Sequence, residues 1–186
     1  TPSTTDQMDA YGDTIRYVRS DAAVTIDLAA RTASGGHATS DVIVAAANGV
    51  STIENVVGSQ TFGDTLRGDA RANRLSGLGG DDIIEGREGN DVLVAGLGAD
   101  QLSGGEGENN LAGEDGNDLL FGGAAKDLLA GGIGDDTLHG DAGEDVFSGG
   151  DGIDVLHGGD DDDLIGDRAH AFERAAREVF ADPVHA

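Results

Sequence analysis

Between Gly68 and Gly166 one large apolar residue stands at every ninth position, and the residues around it are mostly small or polar. The apolar slot holds Leu75, Ile84, Leu93, Leu102, Leu111, Leu120, Leu129, Leu138, Phe147, Leu156 and Ile165, with Asp or Asn two residues before each. Eleven consecutive units follow the form glycine, glycine, x, glycine, x, aspartate, x, large apolar, x. The clearest copies are Gly131 to His139 and Gly149 to His157. A degenerate twelfth copy, Ser59 to Arg67, keeps Asp64 and Leu66 in phase, and Asn55 and Val57 continue the same grid, which predicts a repeat beginning near there. A nine-residue period is too short for a helical repeat, and glycine costs about 1 kcal/mol per helical position relative to alanine. Six turn residues followed by a three-residue strand fit the period. The central side chain of such a strand points into a core and its neighbours point out. Two units then close one coil, with a turn on each side.

This repeat resembles the RTX (repeats-in-toxin) nonapeptide family of calcium-binding parallel β-rolls, over about 108 of the 186 residues. The resemblance implies an all-β, right-handed parallel β-roll solenoid with two nonapeptides per coil. It also implies calcium ions seated between turns stacked on the same side, held by sixth-position side chains and by main-chain carbonyls of the glycine-rich positions. Same-side turns lie eighteen residues apart. One column is then Asp64, Asp82, Asp100, Asp118, Asp136 and Asp154; the other is Asn73, Asp91, Asn109, Asp127, Asp145 and Asp163. The glycines carried over are Gly80, Gly89, Gly98, Gly107, Gly116, Gly134, Gly143 and Gly152 in the fourth slot, with Gly123, Gly132 and Gly150 in the second. Calcium takes six to eight oxygen ligands, preferably charged, so weaker sites are expected at Asn73 and Asn109. Ser59 to Phe62 lacks glycine, and Ala125 and Asp161 replace the fourth-slot glycine. Five gaps per column set a ceiling of ten ions, and seven to nine are expected.

Charge reinforces this picture. The formal net charge is −25, and residues 59–166 hold 25 acids against 5 bases. Stacked carboxylates repel unless a cation lies between them. With one core residue in nine, five Phe, two Tyr and no Trp, burial is too sparse to offset chain entropy, so the repeats are expected to fold only with calcium. A disordered acidic linker would share the composition, but a linker has no reason to place a large residue at every ninth position. The negative charge disfavours nucleic acid and anionic membrane surfaces as partners. There are no cysteines, and no run approaches eighteen apolar residues. Calcium modules of extracellular type bind at roughly 0.1 to 1 mM, a level met outside cells. The resemblance implies export by a type I secretion machinery of a Gram-negative bacterium and folding outside the cell. The start of the chain lacks the basic and apolar regions of an N-terminal secretory signal, which is compatible with that route.

The flanks are less regular. Residues 1–58 read as a capping segment that continues into the roll, 59–166 as the roll, and 167–186 as a C-terminal cap or tail. Gly12 to Tyr17 looks like an isolated turn and strand; Val24, Ile26 and Leu28 alternate as a half-buried strand; Thr32 to Ser40 reads as a loop; Val42 to Ala47 is a short apolar run. After Asp167, residues 168–181 place Phe172, Ala175, Ala176, Val179 and Phe180 at helical spacing before Pro183. A capping helix is expected there, with part of a secretion signal as the rival. His139 and His157 share the outward ninth slot one coil apart, which without a third ligand marks surface residues rather than a metal site. Val92, Val94, Leu128, Val146 and Leu164 form an outward apolar stripe that suggests contact with another segment or protein. No triad or hydrolase spacing stands out, so the chain reads as a non-catalytic module of a larger toxin, adhesin or exoenzyme. An accessory module of a polysaccharide enzyme such as an alginate epimerase, and an adhesin stalk, are the alternatives.

Overall fold

The computed structural model describes residues 14–36 and 53–166. The apolar run Val42 to Ala47 and the helix expected at 168–181 lie outside the described residues. Among the described residues sixteen strands form two eight-stranded sheets. One sheet holds β1 (Thr14–Arg16), β4 (Asn55–Val57), β6 (Arg74–Gly79), β8 (Val92–Leu97), β10 (Asn110–Asp115), β12 (Leu128–Ile133), β14 (Val146–Asp151) and β16 (Leu164–Ile165), in that order. The other runs β3 (Thr32–Ser34), β2 (Thr25–Asp27), β5 (Thr65–Arg67), β7 (Ile83–Glu88), β9 (Gln101–Glu106), β11 (Leu119–Ala124), β13 (Thr137–Ala142) and β15 (Val155–Asp160). Successive strands alternate between sheets from β4 onward, so the chain winds a parallel β-solenoid whose same-sheet neighbours are eighteen residues apart through the repeats.

The interior is a file of single side chains. Leu66, Leu75, Ile84, Leu93, Leu111, Leu120 and Leu138 are all 0% exposed, each contributed by the apolar slot of its unit. Ile15, Tyr17, Val24, Ile26 and Leu28 extend this core at the N-terminal end. At the other end the file opens: Leu156 is only partly buried, and Ile165 is 60% exposed.

Three sequence expectations are corrected. The strands of the full repeats are six residues long, not three, because the ladder resumes after the first glycine of the next unit. Thus β7 pairs with β9 at Ile83, Ile84 and Glu85, passes over Gly86, and pairs again at Arg87 and Glu88. Second, the grid slips by one residue before the full repeats. Val56, not Val57, pairs with Leu75 and is fully buried, so the turn from Gly58 to Asp64 carries one residue more than its successors. Third, Thr32–Ser34 is not loop but strand β3, antiparallel to β2 in an otherwise parallel pair of sheets.

From Leu78 onward the second slot takes a left-handed backbone even where glycine is missing, as at Asp141 (φ 73°), whose ladder partners Gly123 and Gly159 sit at φ 114° and 113°. A non-glycine residue there costs about 1–2 kcal/mol, against about 0.5–1 kcal/mol of extra chain entropy for glycine. Asp141→Gly is therefore expected to raise the thermal midpoint at saturating calcium by about 2 °C. A lowered midpoint would contradict that reading of the slot.

Candidate metal centres

The short arm of each strand ends where the turn must reverse the chain, and the sixth-slot side chain folds back into the space this leaves. In both columns its Oδ1 accepts the main-chain N–H of the residue eighteen positions earlier. Asp82 donates to Asp100 at 2.6 Å, Asp118 to Asp136 at 2.8 Å, and Asp127 to Asp145 at 2.7 Å. The series starts with Val24 donating to Asp64 and runs out to Asp154 and Asp163. Charge-assisted bonds of this kind fix each carboxylate in one orientation.

That orientation leaves the second oxygen stranded. The Oδ2 atoms of Asp82, Asp91, Asp100, Asp118, Asp127, Asp136 and Asp145 are buried and have no hydrogen-bond partner. Their surroundings offer more acceptors rather than donors. A Cβ built on Gly122 would lie 2.6 Å from Asp127 Oδ2 and 3.0 Å from the carbonyl oxygen of Gly140 in the next coil. The same pairing of an orphaned oxygen with a next-coil carbonyl surrounds Gly77, Gly86, Gly113, Gly131 and Gly140. A buried carboxylate oxygen facing carbonyls costs several kcal/mol unless a cation joins them. Among the described residues no three His, Cys, Asp or Glu side chains converge on one point, so any cation here must draw on main-chain oxygens. An all-oxygen, anionic donor set of this kind fits a hard divalent ion such as calcium.

The protonation energetics agree. Burial, reinforced by neighbouring acids, pushes Asp82, Asp118 and Asp127 up to about 7, and Asp91, Asp100 and Asp136 up to about 6. Asp145 is raised by the same burial. Carboxyl groups held this far above their ordinary range are poised to exchange a proton for a metal ion.

Besides Asn73, four acidic-slot residues differ from these seven in kind. Asp64 Oδ1 accepts from Val24 N–H at 2.7 Å and its Oδ2 from Ser59 N–H at 2.6 Å, so both oxygens are satisfied by the protein. Asn109 spends its Oδ1 on Asp91 N–H and turns its Nδ2 donor toward the Gly107 carbonyl at 2.9 Å. Asp154 and Asp163, in the last coil, are partly exposed. Asn73 forms a further exception: its Oδ1 accepts from Asp69 N–H, while Asp91 Oδ1 accepts from its own N–H. The fourth-slot glycines Gly80, Gly89, Gly98, Gly107, Gly116, Gly134, Gly143 and Gly152 all take positive φ, as do Gly123, Gly132 and Gly150. Ala125 (φ 76°) and Asp161 (φ 81°) hold the same conformation in place of glycine.

Sequence reasoning passed over two residues of these turns. Ser59 caps Asp64 and also bonds Phe62 through its hydroxyl. Arg71 reaches Glu54 Oε1 at 2.6 Å and Asp69 Oδ2 at 2.7 Å. The available signal was a cation or hydroxyl residue standing where later units have glycine. His139 and His157 stack with ring centroids 4.6 Å apart, and Phe121 stacks on His139 at 4.9 Å, an outer ladder of flat rings. Of the apolar stripe, Val94 is buried, Val92, Leu128 and Val146 are partly buried, and Leu164 is 61% exposed.

The chain belongs to the RTX calcium-binding nonapeptide repeat (4 copies) family, whose profile matches residues 67–102, 103–138 and 139–166. It is accordingly a calcium-binding repeat module. No curated protein matches the chain.

Proposed function

We propose that this module folds on meeting extracellular calcium, and that it serves the export, folding and stability of a protein secreted by a type I machinery, without catalysing a reaction itself. The observation that carries the proposal is the row of seven buried Oδ2 atoms without partners. Asp82, Asp100, Asp118 and Asp136 in one column, and Asp91, Asp127 and Asp145 in the other, would hold the ions together with main-chain carbonyls of the adjoining turns. Bound calcium supplies the positive charge that ends the repulsion along each column. The side chains are already oriented for it by their Oδ1 bonds, so little reorganisation accompanies binding.

Folding coupled to export has a physical rationale in the charge of the repeats. Residues 59–166 carry a net charge of −20, and a chain with so much like charge and so small a core stays extended where free calcium is scarce. An extended chain can be threaded through a channel, and the same chain closes into coils outside.

A calcium titration followed by far-ultraviolet circular dichroism tests this reading. Strand signal should grow with a midpoint of about 0.1–1 mM, the range of extracellular modules. A midpoint below about 1 µM would place the folding signal within reach of a cytosol and overturn the extracellular role. Calorimetry in the same range should count seven ions, one for each orphaned oxygen.

A further inference from the structure

The basic residues of the described chain are crowded at one end. Residues 14–36 and 53–87 hold 8 acids against 7 bases, a net −1, whereas residues 88–166 hold 20 acids against the single base Lys126, a net −19. Four ion pairs between side chains knit the first group together. Arg87 grips Asp27 with two bonds of 2.9 and 2.6 Å and also donates to the Gly68 carbonyl. Arg67 pairs with Glu85 at 2.8 Å, and Arg71 with both Glu54 and Asp69.

Arg71 and, through its bond to the Gly68 carbonyl, Arg87 bring positive charge to the Asn73 turn, whereas Lys126 is the one Lys or Arg among all the later turns of the described residues. Arg71 occupies the fourth slot of the Asn73 turn and neutralises the acids on either side of it. In the other column, the Ser59 N–H takes the Asp64 oxygen that is orphaned in Asp82 and each of its successors up to Asp136. The hydrophobic core is also denser here. Ten of its eighteen buried residues, Ile15 to Ile84, come from the N-terminal coils, although those coils are the shorter part of the described chain. Strand β3 covers the outer edge of β2 by antiparallel pairing, so that the sheet ends on a strand of only three residues, one of the short edges that blunt further pairing.

We propose that residues 14–36 and 53–87 form a template that stands without calcium, in which Ser59, Arg71 and Arg87 take the place of ions, and that the acidic coils 88–166 are laid onto it as calcium binds, the ion at Asp82 joining the template to the Ala95 carbonyl of the first acidic coil. This rests on the calcium-dependent folding proposed above and adds to it a starting point and a direction, from the N-terminal coils outward. Solenoid folding propagates by nearest-neighbour contacts, so a preformed first coil removes the costliest step, the closing of an isolated coil with no partner to pair against.

Hydrogen exchange of the full chain, read by mass spectrometry in excess EGTA and again in 5 mM calcium, separates the possibilities. In EGTA, peptides containing the ladder amides of Leu28, Gly58 and Thr65 should be protected at least 100-fold. Those containing Asn110, Leu128 and Val146 should exchange as an unstructured chain does and gain protection only with calcium. Loss of all protection in EGTA, followed by its joint return with calcium, would overturn the template and leave calcium-driven folding standing. Full protection of the acidic coils in EGTA would overturn both. In the double variant Arg71→Gln, Arg87→Gln, protection of the N-terminal peptides in EGTA should fall at least tenfold while the calcium-bound protection of residues 110–146 is kept. Unchanged N-terminal protection in that variant would remove the guanidinium groups from the explanation.

Discussion

Alanine at Gly131 is expected to delete one calcium site and force a local shift of the next coil, whereas alanine at the adjoining Gly132 is expected to add a strained left-handed backbone to its clash and damage the coil more severely. The two positions differ in what the added carbon meets. At Gly131 it would point at Asp136 Oδ2 and lie 2.5 Å from the Gly149 carbonyl oxygen, the two atoms between which a cation is proposed to sit, and the backbone there is not left-handed. At Gly132 it would lie 2.7 Å from the carbonyl carbon of Glu114 in the preceding coil, at φ 122°. Neither a ladder strand nor an L-residue's backbone accommodates that, and a cost of about 3 kcal/mol or more follows. Calorimetry on Gly131→Ala should count one ion fewer than the parent, with the strand spectrum retained at saturating calcium. Thermal melting of Gly132→Ala at saturating calcium should show a loss of several degrees. An unchanged ion count in Gly131→Ala would show that the orphaned oxygens do not mark the sites.

Acidification should partly replace calcium. In the folded chain burial, which penalises the charged form, pushes Asp82, Asp118 and Asp127 up to about 7 and Asp91, Asp100 and Asp136 up to about 6. An unfolded aspartate titrates near 3.9. The ion-free fold therefore binds more protons than the unfolded chain, and its stability rises as pH falls. The contribution is complete below about 4 and is lost as pH climbs through 6 to 7. A carboxyl whose titration midpoint lies one pH unit higher in the fold than in the unfolded chain contributes about 1.4 kcal/mol. In EGTA, strand signal should be substantially greater at pH 5 than at pH 7.5. With calcium present the trend reverses, since protons compete for the same oxygens, and the titration midpoint should move to higher calcium below pH 7. Strand signal in EGTA that stays flat or declines on acidification would contradict the buried, unsatisfied state of these carboxylates.

The parallel solenoid and its two acidic columns were legible in the sequence because a strict period converts directly into stacking. A residue repeated every nine positions has to recur at the same place in the coil, and Leu75 to Leu138 do so with full burial. What a period does not encode is what happens where it breaks. Val56 and Val57 are the same residue type, so the extra residue between Gly58 and Asp64 left no trace in the apolar pattern; only the pairing of Val56 with Leu75 reveals it. The strands are longer than the apolar slot suggests because second-slot and third-slot residues keep their ladder bonds whatever their side chains, as Arg87 and Glu88 do. Strand β3 was hidden for a different reason. Thr32, Ala33 and Ser34 lack an alternating apolar signal, and their pairing is supplied by the exposed edge of β2. The columns likewise looked uniform in sequence, yet Asp64 is satisfied by Ser59 while Asp82 is not. That difference depends on one main-chain N–H, which no residue pattern displays.

The most direct measurement is anomalous diffraction from crystals grown in millimolar calcium, collected at a wavelength where calcium scatters anomalously. Peaks are expected beside the Oδ2 atoms of Asp82, Asp91, Asp100, Asp118, Asp127, Asp136 and Asp145, with none between Ser59 and Asp64. Turns without anomalous density, or calcium found only on outer acids such as Asp160 and Asp162, would contradict the assignment of these seven buried oxygens as the calcium ligands.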